Sequence, residues 1–225
     1  MAKLTDMTTG SISKHLLAFA APLLLGNIVQ QFYNMVDSII VGNYVGQNAL
    51  AAVGTCGSMG FLFFSLSSGL AIGIGIIVSQ YFGAKDYQNV RTTIGSSLYV
   101  LSISAFIVTL IGVFLSPALL KLLQCPNTIF KDAVTYMRVT SLGIVFIALY
   151  NGVAAILRAL GDSKSPLYFL IISSIVNIAL DLLFVLVLNW EVFGVAFATV
   201  ISQAISAIAS FMYAYKKVDF FRLTP

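Results

Sequence analysis

Charge is what this 225-residue chain has least of. Only 9% of its residues are charged, against about a quarter in soluble proteins, while 59% are hydrophobic and the mean hydropathy is +0.98. This composition excludes a soluble globular protein and indicates an integral membrane protein. The net charge of +4 does not indicate a nucleic-acid partner, because the basic residues flank apolar runs, where topology signals are expected.

Cysteine is almost as scarce. Cys56 lies near the start of an apolar run and Cys125 lies in a polar connection, with neither CxxC spacing nor a nearby group of His or acidic ligands. The sequence therefore predicts neither a disulfide framework nor a zinc site. The first 15 residues also lack a short apolar core followed by a small-residue cleavage site, so no cleaved signal peptide is expected.

Long apolar runs fill most of the chain. A membrane-spanning helix needs about 20 mainly apolar residues. Six stretches meet this requirement: 16–42, 50–82, 92–116, 133–157, 167–188 and 195–215. The sequence therefore predicts an all-α integral membrane protein, with residues 1–225 forming one bundle of six transmembrane helices.

The basic residues predict the orientation of that bundle, because Lys and Arg favour the cytoplasmic side of a membrane. One side would receive Lys3, Lys14, Lys85, Arg91, Arg158, Lys164, Lys216, Lys217 and Arg222. The other would receive only Lys121, Lys131 and Arg138. Both termini are therefore predicted to be cytoplasmic, in a multi-pass protein of the plasma (cytoplasmic) membrane.

Two of the eight acidic residues, Asp37 and Asp181, fall inside the apolar runs. A carboxylate costs several kcal/mol to hold ionised in hydrocarbon, so it survives there beside a partner, a cation, a proton or a water-filled cavity. These two residues therefore indicate an ion or proton site.

Polar residues form stripes at helical spacing on three of the predicted helices. The stripes comprise Asn27, Gln30, Asn34 and Asp37 with Tyr33 on the first, Ser173, Asn177 and Asp181 on the fifth, and Thr199, Gln203, Ser206 and Ser210 on the sixth. We interpret the serines as helix-to-helix hydrogen bonds. If these three helices adjoin, Asp37, Asn177, Asp181 and Thr199 form an oxygen-rich pocket in the outer half of the membrane. Sodium or protons would both suit such a pocket.

Proline and glycine add two local expectations. Pro22 inside the first helix removes a backbone hydrogen bond and predicts a kink, acting either as a passive bend or as a moving hinge. Gly69 and Gly73 form a GxxxG pair, which we interpret as a site of close helix packing.

Four segments of the sequence resemble the N-terminal half of the multidrug and toxic compound extrusion (MATE) family of secondary transporters. They are APLLLGNIVQQFYNMVDSIIVG (21–42), YFGAKDYQNVR (81–91), LRALGDSKSP (157–166), and NIALD followed by GVAFAT (177–199). Members of that family have twelve helices in two similar lobes, and this chain resembles one lobe. Residues 216–225 resemble the start of the cytoplasmic linker between lobes, so a second lobe or a second copy of the chain is expected as a partner.

The resemblance implies an antiporter, not an enzyme, that lets Na⁺ or H⁺ run inward while it exports cationic, often aromatic, compounds. No cofactor is expected besides the coupling ion. The implied cation or proton site, which would hold Na⁺ if Na⁺ is the ion, is Asp37, Asn177, Asp181 and Thr199. The implied substrate cavity is lined by Gln30, Tyr33, Asn34 and Tyr136, and the implied hinge is Pro22.

Three alternatives remain open on the sequence alone. Ala159, Leu160, Gly161 and Asp162 superficially resemble the GxGD motif of an intramembrane aspartyl protease, but Ala159 replaces the first glycine. A lipid-linked sugar flippase of related design would need cationic residues in its cavity, and no Lys or Arg lies clearly in mid-membrane. The third alternative is an inactive lobe that only folds or assembles.

Overall fold

The protein is helical throughout the range described by this computed structural model, which covers residues 12–221 and the side chains of residues 17–221. Seven α-helices follow one another: α1 Ile12–Ile40, α2 Gln47–Gly83, α3 Tyr87–Leu122, α4 Phe130–Leu142, α5 Ile144–Ala159, α6 Lys164–Leu182 and α7 Glu191–Lys217. Short π-helical segments extend α1 (Val41–Val45) and α6 (Leu183–Val187), and a 3₁₀ turn, Asp219–Phe221, follows α7. The predicted all-α fold class is confirmed.

Four of these helices are long and apolar enough to cross a membrane: α2, α3, α6 with its π segment, and α7. The pair α4 and α5 passes the same test together and would make a fifth span. By this measure α1 is not among the spans of the described residues, and its described part carries the polar residues Asn27, Gln30 and Asn34.

The fourth predicted helix, 133–157, is divided in two. Helices α4 and α5 meet at Gly143 with a bend of 42°. The Gly143 N–H donates to the Thr140 carbonyl at 2.9 Å, which tightens the chain into an i to i−3 turn. A Cβ at Gly143 would lie 3.1 Å from both that carbonyl and a methyl group of Val200 on α7. Glycine therefore allows α7 to pass close to the bend.

Helix α5 is the centre of the lobe. Every residue from Gly152 to Leu157 is buried, and the helix packs against α2, α3 and α7. Among the described residues, a Cβ at Gly69 or Gly73 on α2 would meet nothing within 4 Å, so the close packing predicted there does not occur within the described bundle. Helix α2 approaches α5 at Gly75 instead, where an added Cβ would lie 3.4 Å from the Ala155 carbonyl.

One end of the bundle is closed by the segment that follows α7. Val218 and Phe221 are buried there, and the Phe220 ring stacks on Tyr87 with centroids 5.6 Å apart. At the same end, the Tyr213 hydroxyl of α7 donates to Asp162 in the connection between α5 and α6. The basic connections after α2, α5 and α7 therefore lie together, as their charge predicts, while the side of the membrane they face stays a prediction.

Helix α1 lies at the edge of the lobe. It packs along α6 and against its own π-helical extension, and no other helix in the described range contacts it extensively. The α1–α6 seam therefore holds this helix in place and also sets where its polar side chains lie.

Candidate functional site

The two carboxyl groups in the apolar helices face each other across the α1–α6 seam. Asp37 of α1 is 8% exposed and Asp181 of α6 is completely buried. Their side chains are close enough to interact directly. Asn177 lies one turn before Asp181 on the same face of α6 and is also completely buried. We call Asp37, Asn177 and Asp181 the acid cluster.

The acid cluster is poor in hydrogen bonds from the protein itself. Six buried side-chain N or O atoms among the described residues have no partner in the protein, and five belong to this cluster. They are Oδ1 of Asp37, both carboxyl oxygens of Asp181, and Oδ1 and Nδ2 of Asn177. Buried polar groups are nearly always paired, because desolvation without a hydrogen bond costs several kcal/mol. The four oxygen atoms among them therefore suit an additional cation or proton.

Two hydroxyl side chains complete the surroundings of the cluster. Thr199 on α7 donates its proton to the Val195 carbonyl at 3.1 Å, so its oxygen lone pairs stay available. Tyr33, one turn before Asp37 on α1, is 8% exposed and lies near Thr199 and both carboxyl groups. The sequence assigned Tyr33 to the cavity wall, and the structure places it beside the acid cluster.

A cavity of about 620 Å³ opens beside the cluster, between α1, α2, α4, α5 and α7. Gln30, Asn34 and Tyr136, predicted as cavity residues, line it together with Asp37 and Thr199. Asn177 and Asp181 are not among its lining residues. Asp37 therefore belongs to both the cavity and the acid cluster.

Much of the cavity wall comes from α2. None of the cavity residues predicted from the sequence lies on this helix. The α2 lining residues comprise Val53, Gly54, Cys56, Gly57, Gly60, Phe61, Phe63, Phe64 and Ser67. Helical spacing of Gly54, Gly57, Phe61 and Phe64 was a signal that these residues share a face. Among the described residues that line the cavity, Asp37 is the one carboxylate, and none is Lys or Arg.

Both helices that carry the carboxylates end in a π-helical turn. The Gly46 N–H donates to Val41 at 3.0 Å, and the Leu188 N–H donates to Leu183 at 3.1 Å. The two π segments contact each other, and Val41 and Val185 share one buried apolar cluster. Such turns are rare and recur at functional sites.

Pro22 is buried within α1, and the helix runs unbroken through it. The hinge predicted at Pro22 therefore stays a prediction.

Asp162, the acidic residue of the protease-like string, has a local structural role. Its Oδ1 accepts the Ser165 N–H at 3.0 Å and its Oδ2 accepts the Tyr213 hydroxyl at 3.3 Å. It lies before the start of α6, and Asp181 lies near the end of that helix, roughly 25 Å along the axis at 1.5 Å per residue. Asp162 therefore stands apart from the acid cluster.

The fold and site together define a helical membrane protein with a buried acidic cluster beside a cavity. The MatE family model matches residues 22–183, and the chain belongs to that family. The predicted resemblance to a MATE lobe is thus confirmed.

Curated relatives are named for drug resistance and export. The probable multidrug resistance protein YpnP of Bacillus subtilis is 33% identical over 214 residues, covering 95% of this chain and 48% of the relative. The multidrug export protein MepA of Staphylococcus saprophyticus is 23% identical over 209 residues, covering 93% of this chain and 46% of that relative. The chain therefore spans about half the length of the curated relatives it matches.

Solved structures agree with this assignment. A MOP superfamily transporter from Pyrococcus furiosus superimposes with a TM-score of 0.89 at 26% identity, covering 98% of this chain and 48% of that one. A crystal structure of MATE in the bent conformation gives a TM-score of 0.87 at 26% identity, covering 96% of this chain and 49% of that one. The described fold therefore matches about half of each of these solved chains.

Proposed function

We propose that this chain forms one lobe of a secondary antiporter that exports cationic, aromatic compounds in exchange for Na⁺ or H⁺. The observation that carries the proposal is the acid cluster, with two neighbouring carboxyl groups and five buried polar atoms that the protein leaves unpaired. A sodium ion or a proton would neutralise charge there and give carboxyl or amide oxygens of the cluster a partner. The names of the curated relatives support export of drugs as the transport function.

Asp37 is the residue that would couple the ion to the substrate. It is the one carboxylate among the described lining residues of the cavity, and it also lies beside Asp181 in the acid cluster. A cationic substrate and a coupling ion would therefore compete for the same charge. When the ion neutralises Asp37, the cavity loses its attraction for the cation, and the substrate is released.

Movement of α1 would accompany this competition. The unneutralised carboxyl groups repel each other across the α1–α6 seam, and neutralisation removes that repulsion. Helix α1 can then close against α6 and α7, which narrows the cavity. Pro22 and the π-helical turn after Ile40 are the places where α1 would bend.

A second lobe, or a second copy of this chain, would complete the cavity. The side chain of Phe61, which lines the cavity, is 72% exposed, so apolar surface of the cavity wall is left uncovered. The half-length match to the relatives supports the same arrangement.

The ion site can be tested on the purified chain without transport. We expect Na⁺ at constant pH, or acidification without Na⁺, to raise the apparent melting temperature of the chain in detergent, since a ligand of the folded state stabilises it by about 2.7 kcal/mol at 100 times its Kd. Asp181→Asn should abolish that response. Asp132→Asn, at the start of α4 and outside the cluster and cavity, is the matched control and should retain it.

Transport in proteoliposomes separates the two ions. A Na⁺ gradient at equal pH and a pH gradient without Na⁺ are imposed in turn, and export of a fluorescent aromatic cation is recorded. Export driven by either gradient and lost in Asp181→Asn supports the proposal. Equal export by Asp181→Asn and the unsubstituted chain would contradict it.

A further inference from the structure

Three glycines on α2 leave part of the cavity wall without side chains. Gly54, Gly57 and Gly60 all line the cavity. A Cβ built on any of them would meet no heavy atom of the described residues within 4 Å. We call these three residues the glycine strip.

The fold gives no reason for glycine at these positions. None of the three has a positive φ, and none sits under a neighbouring helix. Gly112 and Gly152 show the contrast, because an added Cβ would collide with Ser141 at the first and with Leu101 at the second. Alanine is a better helix former than glycine, so the strip is unfavourable for α2 itself.

The chemistry around the strip is suited to a flat aromatic cation. Phe61 and Phe64 follow the glycines on the same face of α2, and their side chains are 72% and 45% exposed. Asp37, only 8% exposed and with Oδ1 unpaired, lies on the wall of the same cavity. Aromatic rings attract both apolar ring systems and cations, while the carboxylate attracts the charge.

We propose that Gly54, Gly57 and Gly60 determine substrate size: the exposed backbone of the glycine strip admits the ring system of large aromatic cations, which a side chain there would exclude. This inference rests on the proposed function. A cavity of about 620 Å³ is within the range of sites that bind small molecules, so the volume of one side chain alters what fits.

Leucine substitutions test the strip. Gly54→Leu, Gly57→Leu and Gly60→Leu are compared with Gly69→Leu and Gly73→Leu, which also project into open space on α2 but do not line the cavity. The probes are ethidium, whose phenyl group stands out of the ring plane, and the smaller, flat proflavine. Binding to the full purified chain is followed by probe fluorescence, and export is followed in proteoliposomes.

The strip variants should lose ethidium binding and export by at least about tenfold, the scale on which steric fit discriminates substrates. Proflavine should change by less than about threefold in the same variants, and neither probe should respond to the two control substitutions. If a leucine variant does not fold, the corresponding alanine variant, with its better helix propensity, should show the same selective loss at smaller size.

Equal loss of both probes would overturn the inference, because it would mark the strip as a contact surface for another helix. No change in either probe, or the same loss in the control variants, would overturn it as well. If the unsubstituted chain neither binds nor exports either cation, the proposed function fails and this inference fails with it.

Discussion

The acidic side chains at the two ends of this lobe have opposite surroundings. At the basic end, Asp162 accepts bonds from Ser165 and Tyr213, and Asp86 accepts bonds from the backbone and side chain of Asn89. In the acid cluster, Asp181 is more deeply buried than either, yet neither of its oxygens has a partner in the protein.

This difference separates structural carboxylates from the candidate functional pair. A carboxylate at a helix end is stabilised by its bonds and stabilises the turn in return. A buried carboxyl group without partners destabilises the fold and persists where something else compensates it. Local hydrogen bonding, more than burial alone, therefore distinguishes the two roles.

The largest effect is expected at Asp37, which belongs to both the cluster and the cavity. Asp37→Asn should abolish the ion-dependent rise in melting temperature and weaken binding of an aromatic cation at least tenfold, since a buried charge pair is worth about 2 kcal/mol or more. Asp181→Asn should abolish the ion response but bind the cation within about threefold of the unsubstituted chain, because Asp181 does not line the cavity. Equal loss of cation binding in both variants would refute these separate roles of Asp37 and Asp181.

A smaller effect is expected from Thr199→Val, which removes the hydroxyl and keeps the shape of the side chain. The concentration of Na⁺ or H⁺ that gives half of the thermal shift should rise roughly tenfold, the equivalent of one hydrogen bond. Ser202→Ala, on the same helix, is the control, because its hydroxyl bonds to the Thr199 carbonyl within α7. An unchanged midpoint in Thr199→Val would remove Thr199 from the site.

At the opposite end, Tyr213→Phe should affect stability without affecting the ion response. It removes the hydroxyl that donates to Asp162 and accepts from Ser165, at a cost of about 1 to 2 kcal/mol. The melting temperature should fall while the shift produced by the ion stays the same. A loss of the ion response would show that the two ends are coupled.

The smallest effect is expected at Asp86, whose side chain accepts the Asn89 N–H at the start of α3. Asp86→Ala should lower the free energy of unfolding by about 1 kcal/mol, and Asp86→Ser, which can still cap the helix, by less. Both should retain the ion response. Equal destabilisation by Ala and Ser would show that the cap contributes nothing.

The two carboxylates in the apolar helices could be picked out from the sequence because charged residues are rare in such runs. A charged residue in an apolar run can be recognised without coordinates, and the polar stripes pointed to Asn177 and Thr199 on the neighbouring helices. The structure brings these residues together between α1, α6 and α7.

The backbone features were harder to predict. A single glycine inside an apolar run is common, so nothing distinguished Gly143 as the division between α4 and α5. Gly69 and Gly73 matched a packing motif but face open space, while the cavity-lining glycines carried no polar signal. Whether a glycine meets a neighbour depends on which face of its helix is covered, and that is a tertiary property.

The attachment of α1 to one main neighbour has a consequence for its mobility. The free energy that holds a peripheral helix depends on the few surfaces it shares with the rest of the protein. For α1 that surface is the seam with α6, and Asp37 and Asp181 face each other within it. The combined charge of these two carboxyl groups therefore helps to set how tightly the helix is held. Under the proposed ion binding, loss of the ion would loosen this one helix while the interior of the lobe stays folded.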